Sequence, residues 1–296
     1  MKRLPSLKQL EYLVALAETQ HFGRAAELCN VTNSTLSAGI RDLEAVLGLA
    51  LAERTKRTVL MTQLGKDIAG RAQQVLRDAE DIMDLAAAQR EPMTGDVKLG
   101  VIPTIGPFLM PLVLPRLSAL YPDLRVYLRE EQTAVLLTRL RAGDIDLALI
   151  ALPFETGNLA TRIVFEDDFQ FACHASHPMA GRRTVTDTDL ADQPLLLLEE
   201  GHCLRGHALS ACRLHEGHIR QQFEATSMHT LVQMVMAGLG VTLLPQLAIN
   251  GNITAGTDIR LIPLVPAASR QIGLVWRPSS PRADAFEMLA EAFCKQ

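Results

Sequence analysis

The fold of the N-terminal part is decided by residues 23–48, GRAAELCNVTNSTLSAGIRDLEAVLG. The first six of these residues favour a short helix, which Asn30-Val31 interrupts. Thr32 has the side chain of a helix N-cap, and Gly48 favours a helix end. Between them the apolar residues recur at steps of four, three and four, at Leu36, Ile40, Leu43 and Leu47. A short helix, a tight turn and a longer helix predict a helix-turn-helix.

The outward positions of the longer helix carry small or polar side chains that suit contact with DNA bases. Small side chains let a helix enter the major groove, and Asn and Arg can bond in a bidentate way to A or G edges. An ordinary solvated helix face would show the same periodicity, so the interpretation depends on the neighbouring segments. The candidate DNA-contacting residues on this face are Asn33, Ser34, Thr35, Ser37 and Arg41.

The segments that follow favour DNA binding over a plain solvated face. Residues 53–60, ERTKRTVL, predict two short extended pieces around a basic turn, which is the pattern of a wing. Its Arg54, Lys56 and Arg57 would neutralise DNA phosphates, although a solvated loop would also carry such residues. Residues 63–90 then lack proline and repeat apolar residues at steps of four and three, which predicts a coiled-coil dimerisation helix.

The composition fits a DNA-binding head on a globular body. Hydrophobic residues make up 48% of the 296 residues and charged ones 21%, which excludes a disordered chain. Residues 1–66 carry nine Lys and Arg against six Asp and Glu, whereas the other residues carry 20 against 27. A basic head suits a polyanionic partner. No apolar run is long enough to cross a membrane, and five cysteines without a CxxC pair predict a cytoplasmic protein without a disulfide framework.

Strand and helix patterns alternate in two sets along the rest of the chain. The first set has strands at 96–101, 124–129 and 145–151 and a helix at 133–142; the second has strands near 169–173, 195–198, 241–244 and 272–276 and helices at 226–237 and 284–294. This alternation predicts an α/β domain of two Rossmann-like subdomains with a cleft between them. Thr104 and Thr133 would face the cleft where strands end and helices begin, unless they are plain N-caps.

The N-terminal segment resembles the winged-helix head of LysR-type transcriptional regulators. The resemblance is carried by LKQLEYL at 7–13, AAEL at 25–28, TLS at 35–37, IRDLE at 40–44, LG at 47–48, ER at 53–54 and TQLG at 62–65. Many members of that family carry Gln, often followed by Pro, where this chain has Asn33-Ser34, so operator preference should not be transferred from relatives. The resemblance implies a double-stranded DNA operator, RNA polymerase as a partner and a dimer of dimers.

The family resemblance also implies the domain order. We predict an all-α winged helix-turn-helix domain over 1–62, a linker and dimerisation helix over 63–92 and a regulatory domain over 93–296. The regulatory domain should have the periplasmic-binding-protein-like fold, with subdomain I over about 96–165 and 271–296 and subdomain II over about 166–270.

Residues 199–212, EEGHCLRGHALSAC, resemble the redox segment of the hydrogen-peroxide-sensing branch of that family. Further matches are GVIPT at 100–104, ATS at 225–227, GVTLLP at 240–245 and SRQIGLVWRP at 269–278. In that branch a Gly-His-Cys-Leu-Arg stretch holds the Cys that attacks peroxide, and a resolving Cys follows nine positions later. The resemblance therefore implies that Cys203 is oxidised, that Cys212 forms a disulfide with it and that antioxidant genes respond.

The residue types around Cys203 suit this chemistry. The thiolate is the nucleophile, so cationic neighbours and a helix N-terminus should lower the pKa of the Cys203 thiol. A sulfenic acid formed with peroxide condenses with a second thiol to a disulfide. The expected peroxide-pocket residues are Thr104, Thr133, His202, Arg205 and Arg270, whereas Gln222 receives no role.

Three other functions account for parts of the sequence. A soft-metal sensor would use Cys203, His207, Cys212, His215 and His218. A thiol peroxidase would have no use for the winged head, and a regulator with an organic-acid effector leaves the cysteine pair unexplained. We expect a regulator rather than an enzyme, with no metal and no cofactor.

The cysteines outside the redox segment have a simpler interpretation. A Cys is commonly a small buried apolar residue. This is our prediction for Cys29, Cys173 and Cys294.

Overall fold

The computed structural model describes residues 4–54, 59–88, 93–191, 193–201, 203–211 and 224–294. The chain divides into two compact units, Met1–Ala87 and Ala88–Gln296, and each is described by itself. In the part of the chain that the structure describes, no helix has the length and apolar character needed to cross a membrane.

The N-terminal unit is helical with one small hairpin. Its helices are α1 (Leu7–Thr19), α2 (Phe22–Leu28), α3 (Asn33–Leu47) and α4 (Gln63–Ala88), and its strands are β1 (Ala52–Arg54) and β2 (Val59–Met61). The two strands pair in antiparallel register, so the hairpin predicted for the wing is present. Lys56 and Arg57 lie outside the described residues, and Arg54 is described only as the last residue of β1.

Helix α3 forms where the sequence predicts it. The Thr32 side chain accepts a hydrogen bond from the Thr35 amide at 3.2 Å, and Gly48 ends the helix with a φ of 73°. Leu36, Ile40 and Leu43 are completely buried against α1 and α2. The apolar stripe therefore fixes which face of α3 remains outward.

The C-terminal unit alternates strands and helices, as its sequence predicts. Its first elements are β3 (Gly95–Val101), α5 (Gly106–Leu120), β4 (Leu124–Glu130), α6 (Thr133–Ala142), β5 (Leu147–Leu152), β6 (Ala160–His174), α7 (Asp187–Ala191) and β7 (Leu197–Leu198). They are followed by α8 (Cys203–Ala211), β8 (Glu224–Ala225), α9 (Met228–Met236), β9 (Thr242–Pro245), α10 (Gln246–Asn250), β10 (Ile259–Pro263), β11 (Ser269–Trp276) and α11 (Ala283–Cys294).

One mixed sheet organises this unit. Its strand order is β10-β6-β11-β5-β3-β4, and β9 pairs with the second half of β6 on the edge opposite β10. Strand β3 is parallel to β4 and β5, whereas β11 is antiparallel to β5 and β6. The first half of β6 pairs with β11 and its second half with β9 and β10, so this long strand joins the two predicted sets of elements.

Helix α5 and the exposure of Cys294 are among the features that differ from the sequence prediction. Helix α5 was not predicted, because Pro111 and Pro115 lie inside it and proline normally interrupts a helix. Cys294 is exposed, so the prediction that it is buried is wrong: it lies on the solvent side of α11, whose apolar face is buried through Phe286, Leu289 and Phe293. Cys29 and Cys173 are buried, as predicted.

The two glycines of α4 predict opposite effects of the same substitution. A Cβ at Gly65 would overlap the Leu51 carbonyl oxygen, whereas one at Gly70 meets nothing within 4 Å. Gly70→Ala should stabilise the helix by about 0.5–1 kcal/mol, because alanine restricts the unfolded chain. Gly65→Ala should instead destabilise the N-terminal unit by about 1–3 kcal/mol, because a backbone oxygen has to move.

Urea unfolding of the full chain measures both changes, and hydrogen exchange in α1–α3 assigns them to the N-terminal unit. Two variants that shift stability in the same direction would contradict the packing described at Gly65.

Candidate functional site

Cys203 is the first residue of helix α8 and is half-buried. The chain enters this helix through Gly201, whose φ of 96° lies in the left-handed region that favours glycine. A Cβ at Gly201 would also lie 2.6 Å from Gln132 Oε1. The backbone of this turn therefore requires glycine, and it places the Cys203 thiol at the positive end of a helix.

Thr133 contacts the thiol directly. Its hydroxyl is hydrogen-bonded to Cys203 Sγ, although the two residues are 70 positions apart in sequence. The prediction that Thr133 caps this helix is wrong, because Gln132 is the N-cap of α6 and Thr133 is the first residue inside the helix. Thr133 is 1% exposed, so its hydroxyl faces the thiol and not solvent.

Thr104 is fully buried and lines a cavity of about 230 Å³ that is separate from the cavity at Cys203. Its hydroxyl oxygen accepts a hydrogen bond from Arg270 Nη1 at 2.9 Å, and its carbonyl oxygen accepts one from Arg270 Nη2 at 3.1 Å. Thr104 is not a helix cap either, since Ile105 is the N-cap of α5. Both threonine hydroxyls therefore bond to other side chains, Thr133 to Cys203 and Thr104 to Arg270, and neither caps a helix.

Arg270 is held by an acid that the sequence patterns did not reveal. Arg270 Nε and Nη2 donate to Asp167 Oδ2 at 3.0 and 2.9 Å, and the two side chains are 0% and 1% exposed. Asp167 Oδ1 accepts from the Leu247 amide at 2.8 Å. The sequence carried one signal for the burial of Asp167, since this residue is in two-residue phase with Phe169 and Phe171, but nothing in it indicated Arg270 as the partner.

Burial raises the pKa of the Cys203 thiol above its ordinary value, because a thiolate is poorly solvated there. The hydrogen bond from Thr133 and the positive charge of Arg270 act in the opposite direction but are smaller effects. The prediction of a lowered pKa is therefore wrong: the cationic neighbour is present, and desolvation outweighs it.

Of the two remaining residues predicted for the peroxide pocket, Arg205 and His202, the structure describes only Arg205. Arg205 borders the cavity at Cys203, but its Nη1 donates to Glu224 Oε1 at 2.8 Å and to the Leu198 carbonyl at 3.4 Å. The charge that acts on the thiol comes instead from Arg270. His202, Cys212 and Gln222 lie outside the described residues.

An open cavity of about 510 Å³ gives access to the thiol. Cys203 and His207, one turn apart on α8, line it together with Pro153 and Phe154. His207 Nε2 lies 2.9 Å from the Pro153 carbonyl oxygen, which can only accept, so this nitrogen carries the hydrogen. Burial lowers the pKa of His207, which keeps the ring neutral. The site thus exposes one thiol to small reagents beside a neutral imidazole.

The described residues contain no group of three or more His, Cys, Asp and Glu that could hold a metal ion. Three members of the soft-metal set considered above, Cys212, His215 and His218, lie outside the described residues.

The outward face of α3 is open to a partner. Asn33, Ser34, Thr35 and Arg41 are exposed and Ser37 is half-buried. The Ser34 and Thr35 hydroxyls each lie 2.8 Å from the Thr32 hydroxyl, so three oxygens cluster at the start of the helix. The structure therefore brings the predicted contact residues of α3 to one surface.

The chain matches two protein-family models. Residues 7–66 match the bacterial regulatory helix-turn-helix protein, lysR family, and residues 90–295 match the LysR substrate binding domain.

Curated relatives align over almost the whole chain. The DNA-binding transcriptional dual regulator OxyR of Escherichia coli is 43% identical over 287 residues, which cover 97% of this chain and 94% of the relative. The HTH-type transcriptional regulator EstR of Acinetobacter baylyi is 41% identical over 294 residues, which cover 98% and 97%.

Solved structures show the same similarity. A full-length OxyR variant from Pseudomonas aeruginosa has a TM-score of 0.78 at 38% identity, covering 98% of this chain and 95% of that one. A hydrogen-peroxide-bound OxyR mutant from Corynebacterium glutamicum has a TM-score of 0.68 at 35% identity, covering 100% and 93%.

The contact between Thr133 and Cys203 predicts a pH effect. Because burial raises the pKa of the Cys203 thiol above its ordinary value, alkylation of Cys203 by iodoacetamide should still accelerate at a pH where an ordinary thiol is already ionised. Thr133→Val removes a hydrogen bond that favours the thiolate, so it should raise the pKa further. Alkylation at neutral pH should then slow by about tenfold, the factor that corresponds to roughly 1.4 kcal/mol.

Thr138→Val is the matched control, because Thr138 is exposed on the same helix and its hydroxyl donates only to the Ala134 carbonyl. Peptide mapping assigns the alkylation to Cys203. A pH profile that is identical in wild type and Thr133→Val would contradict the role given to this hydroxyl.

Proposed function

The chain belongs to the LysR family of bacterial transcriptional regulators, and from that premise we propose that it is a peroxide-responsive regulator whose sensor is Cys203. The observation that carries the proposal is the setting of this thiol at the start of α8, hydrogen-bonded to Thr133, close to Arg270 and open to a cavity. Relatives named hydrogen peroxide-inducible genes activator support the choice of signal.

The proposed reaction begins at the Cys203 thiolate. Its sulfur attacks one oxygen of hydrogen peroxide, the O–O bond breaks, and the second oxygen leaves as hydroxide and takes up a proton to become water. Sulfur is oxidised to a sulfenic acid and peroxide is reduced. Because the Thr104 oxygen already accepts a bond from Arg270, its own hydrogen remains available to donate to a peroxide oxygen. Thr133, His202 and Arg205 would complete the peroxide pocket.

In the second step the Cys212 thiol attacks the Cys203 sulfenic acid. The S–S bond forms, the S–O bond breaks and water leaves. The reduced fold opposes this step. The helical rise over Cys203–Ala211 separates the terminal Cα atoms by about 12 Å, and Cys212 follows Ala211 at one Cα–Cα step of about 3.8 Å. The two cysteine Cα atoms are therefore at least about 8 Å apart, whereas a disulfide needs less than about 7 Å.

Oxidation must consequently change helix α8. Leu204, Ala208 and Leu209 are buried on this helix, and unwinding would remove them from the core. These side chains have to repack, and we propose that they do so at a subunit interface. A covalent change at one thiol would then alter the spacing of the DNA-binding heads in a dimer of dimers.

The DNA-binding part of the proposal rests on α3 and the wing. Asn33, Ser34, Thr35, Ser37 and Arg41 would contact bases in the major groove, and Arg54, Lys56 and Arg57 would contact phosphates. A double-stranded operator with paired half-sites follows from dimeric heads, and RNA polymerase is the expected partner at target promoters. Bound to DNA in this way, the protein would act in the cytoplasm as a regulator and not as a thiol peroxidase.

The two cysteines predict different effects on the DNA footprint. Wild type should give one footprint under reducing conditions and another after peroxide, because α8 rearranges. Cys203→Ser should keep the reduced footprint in both, and Cys212→Ser should form a sulfenic acid at Cys203 but change the footprint weakly or transiently. The measurement is a DNase I footprint with mass spectrometry of the cysteine peptides. An unchanged wild-type footprint with the disulfide confirmed would refute the switch.

The two kinds of DNA contact predict different binding defects. Arg41→Ala should change base preference at one operator position by about 1–3 kcal/mol, because its guanidinium would bond to a base edge. Lys56→Ala should weaken binding to all sequences alike and reduce the salt dependence, because it would remove a phosphate contact. Binding titrations on single-base operator variants at several salt concentrations separate the two. Equal losses on every operator for both variants would contradict this division of contacts.

A further inference from the structure

We infer that Asp167 is a positioning residue for peroxide reduction, which it serves by fixing Arg270 so that the Thr104 hydroxyl is aimed at the peroxide. The inference rests on the proposed function and adds to it an acid that touches neither the thiol nor the substrate. Asp167 lies on β6 directly opposite Arg270 on β11, so the pair is set by the register of these two strands.

The contacts leave Asp167 little freedom. Its Oδ2 accepts from both Nε and Nη2 of Arg270, and its Oδ1 accepts from the backbone amide of Leu247 near the start of α10. Both side chains of the pair are at most 1% exposed. A guanidinium buried this deeply needs a carboxylate partner, and the second anchor on Leu247 prevents that carboxylate from turning.

The remaining donors of Arg270 point at a single residue. Nη1 reaches the Thr104 hydroxyl oxygen and Nη2 the Thr104 carbonyl oxygen. Because the guanidinium is planar and rigid, the position in which Asp167 holds it also determines where Thr104 is held. Because the Thr104 hydroxyl accepts from Arg270, its hydrogen is directed elsewhere, and a donor fixed in advance is what stabilises charge developing on a leaving oxygen.

The test measures peroxide oxidation of Cys203 by rapid quench and peptide mapping, in the full-length reduced protein. Asp167→Asn should slow this oxidation by on the order of 100-fold, the usual loss when an aligned donor is misplaced. Asp168→Asn is the matched control, since Asp168 is the next residue of the same strand and is exposed. Its oxidation rate should stay within about twofold of wild type.

A double-mutant cycle with Thr104→Val separates positioning from a general loss of structure. Thr104→Val alone should slow oxidation as strongly as Asp167→Asn, and the double variant should be no slower than either, because all three lack the same aligned hydroxyl. Alkylation of Cys203 by iodoacetamide does not use that hydroxyl, so it should change far less than oxidation in every variant.

If the Asp167→Asn variant does not fold, the variant Arg270→Lys tests the same positioning role. Lysine keeps the charge and the partner Asp167, but one ammonium cannot bond to Asp167 and to both Thr104 oxygens, so oxidation should slow to a similar extent. Wild-type oxidation rates in Asp167→Asn or Arg270→Lys, or multiplied effects in the double variant, would overturn the inference. A wild-type Cys203 that peroxide leaves reduced would instead refute the proposed function itself.

Discussion

The buried ion pair between Arg270 and Asp167 is the interaction on which the rest of the site depends. A guanidinium without solvent must be paired, and here the pairing joins the two long strands β6 and β11. The same two side chains reach α10 through the Leu247 amide and the loop between β3 and α5 through Thr104. One pair of charges therefore connects two strands, a helix and a loop, and none of them can shift alone without leaving a buried group unsatisfied.

Cys203 combines a raised pKa with a site arranged for oxidation. Burial keeps most of the thiol protonated, which protects it from unselective electrophiles. Selectivity for peroxide must then come from groups that act on the small fraction of thiolate and on the leaving oxygen. Thr133 contacts the sulfur and Thr104 has a hydroxyl hydrogen to donate, and we propose that the two threonines divide these tasks. The proposed reactivity of Cys203 toward peroxide therefore depends on how the two hydroxyls are oriented, and not on the acidity of the thiol alone.

Local sequence patterns predicted the parts of the molecule that depend on neighbouring residues. Helix α3 followed from the Thr32 cap, the apolar spacing and Gly48, which all act within one turn of chain. Asp167 could not be predicted in this way, because its partner Arg270 is 103 residues away and the pair forms only through the register of β6 and β11. The direction of the Cys203 pKa shift could not be predicted either. The sequence shows which charged residues are neighbours along the chain, but not how far the fold removes the thiol from solvent.

The most direct test of peroxide sensing at Cys203 is to identify which cysteine reacts first with one equivalent of hydrogen peroxide. Cys294 is exposed, Cys29 and Cys173 are buried, and Cys203 is half-buried. If exposure alone set the order of oxidation, Cys294 would react first, whereas a site that activates Cys203 would make that residue react first. Peptide-resolved thiol counting on the reduced full-length protein separates them. We predict that Cys203 is consumed first and is recovered linked to Cys212, while Cys29, Cys173 and Cys294 stay free. Oxidation that begins at Cys294 and leaves Cys203 reduced would contradict it.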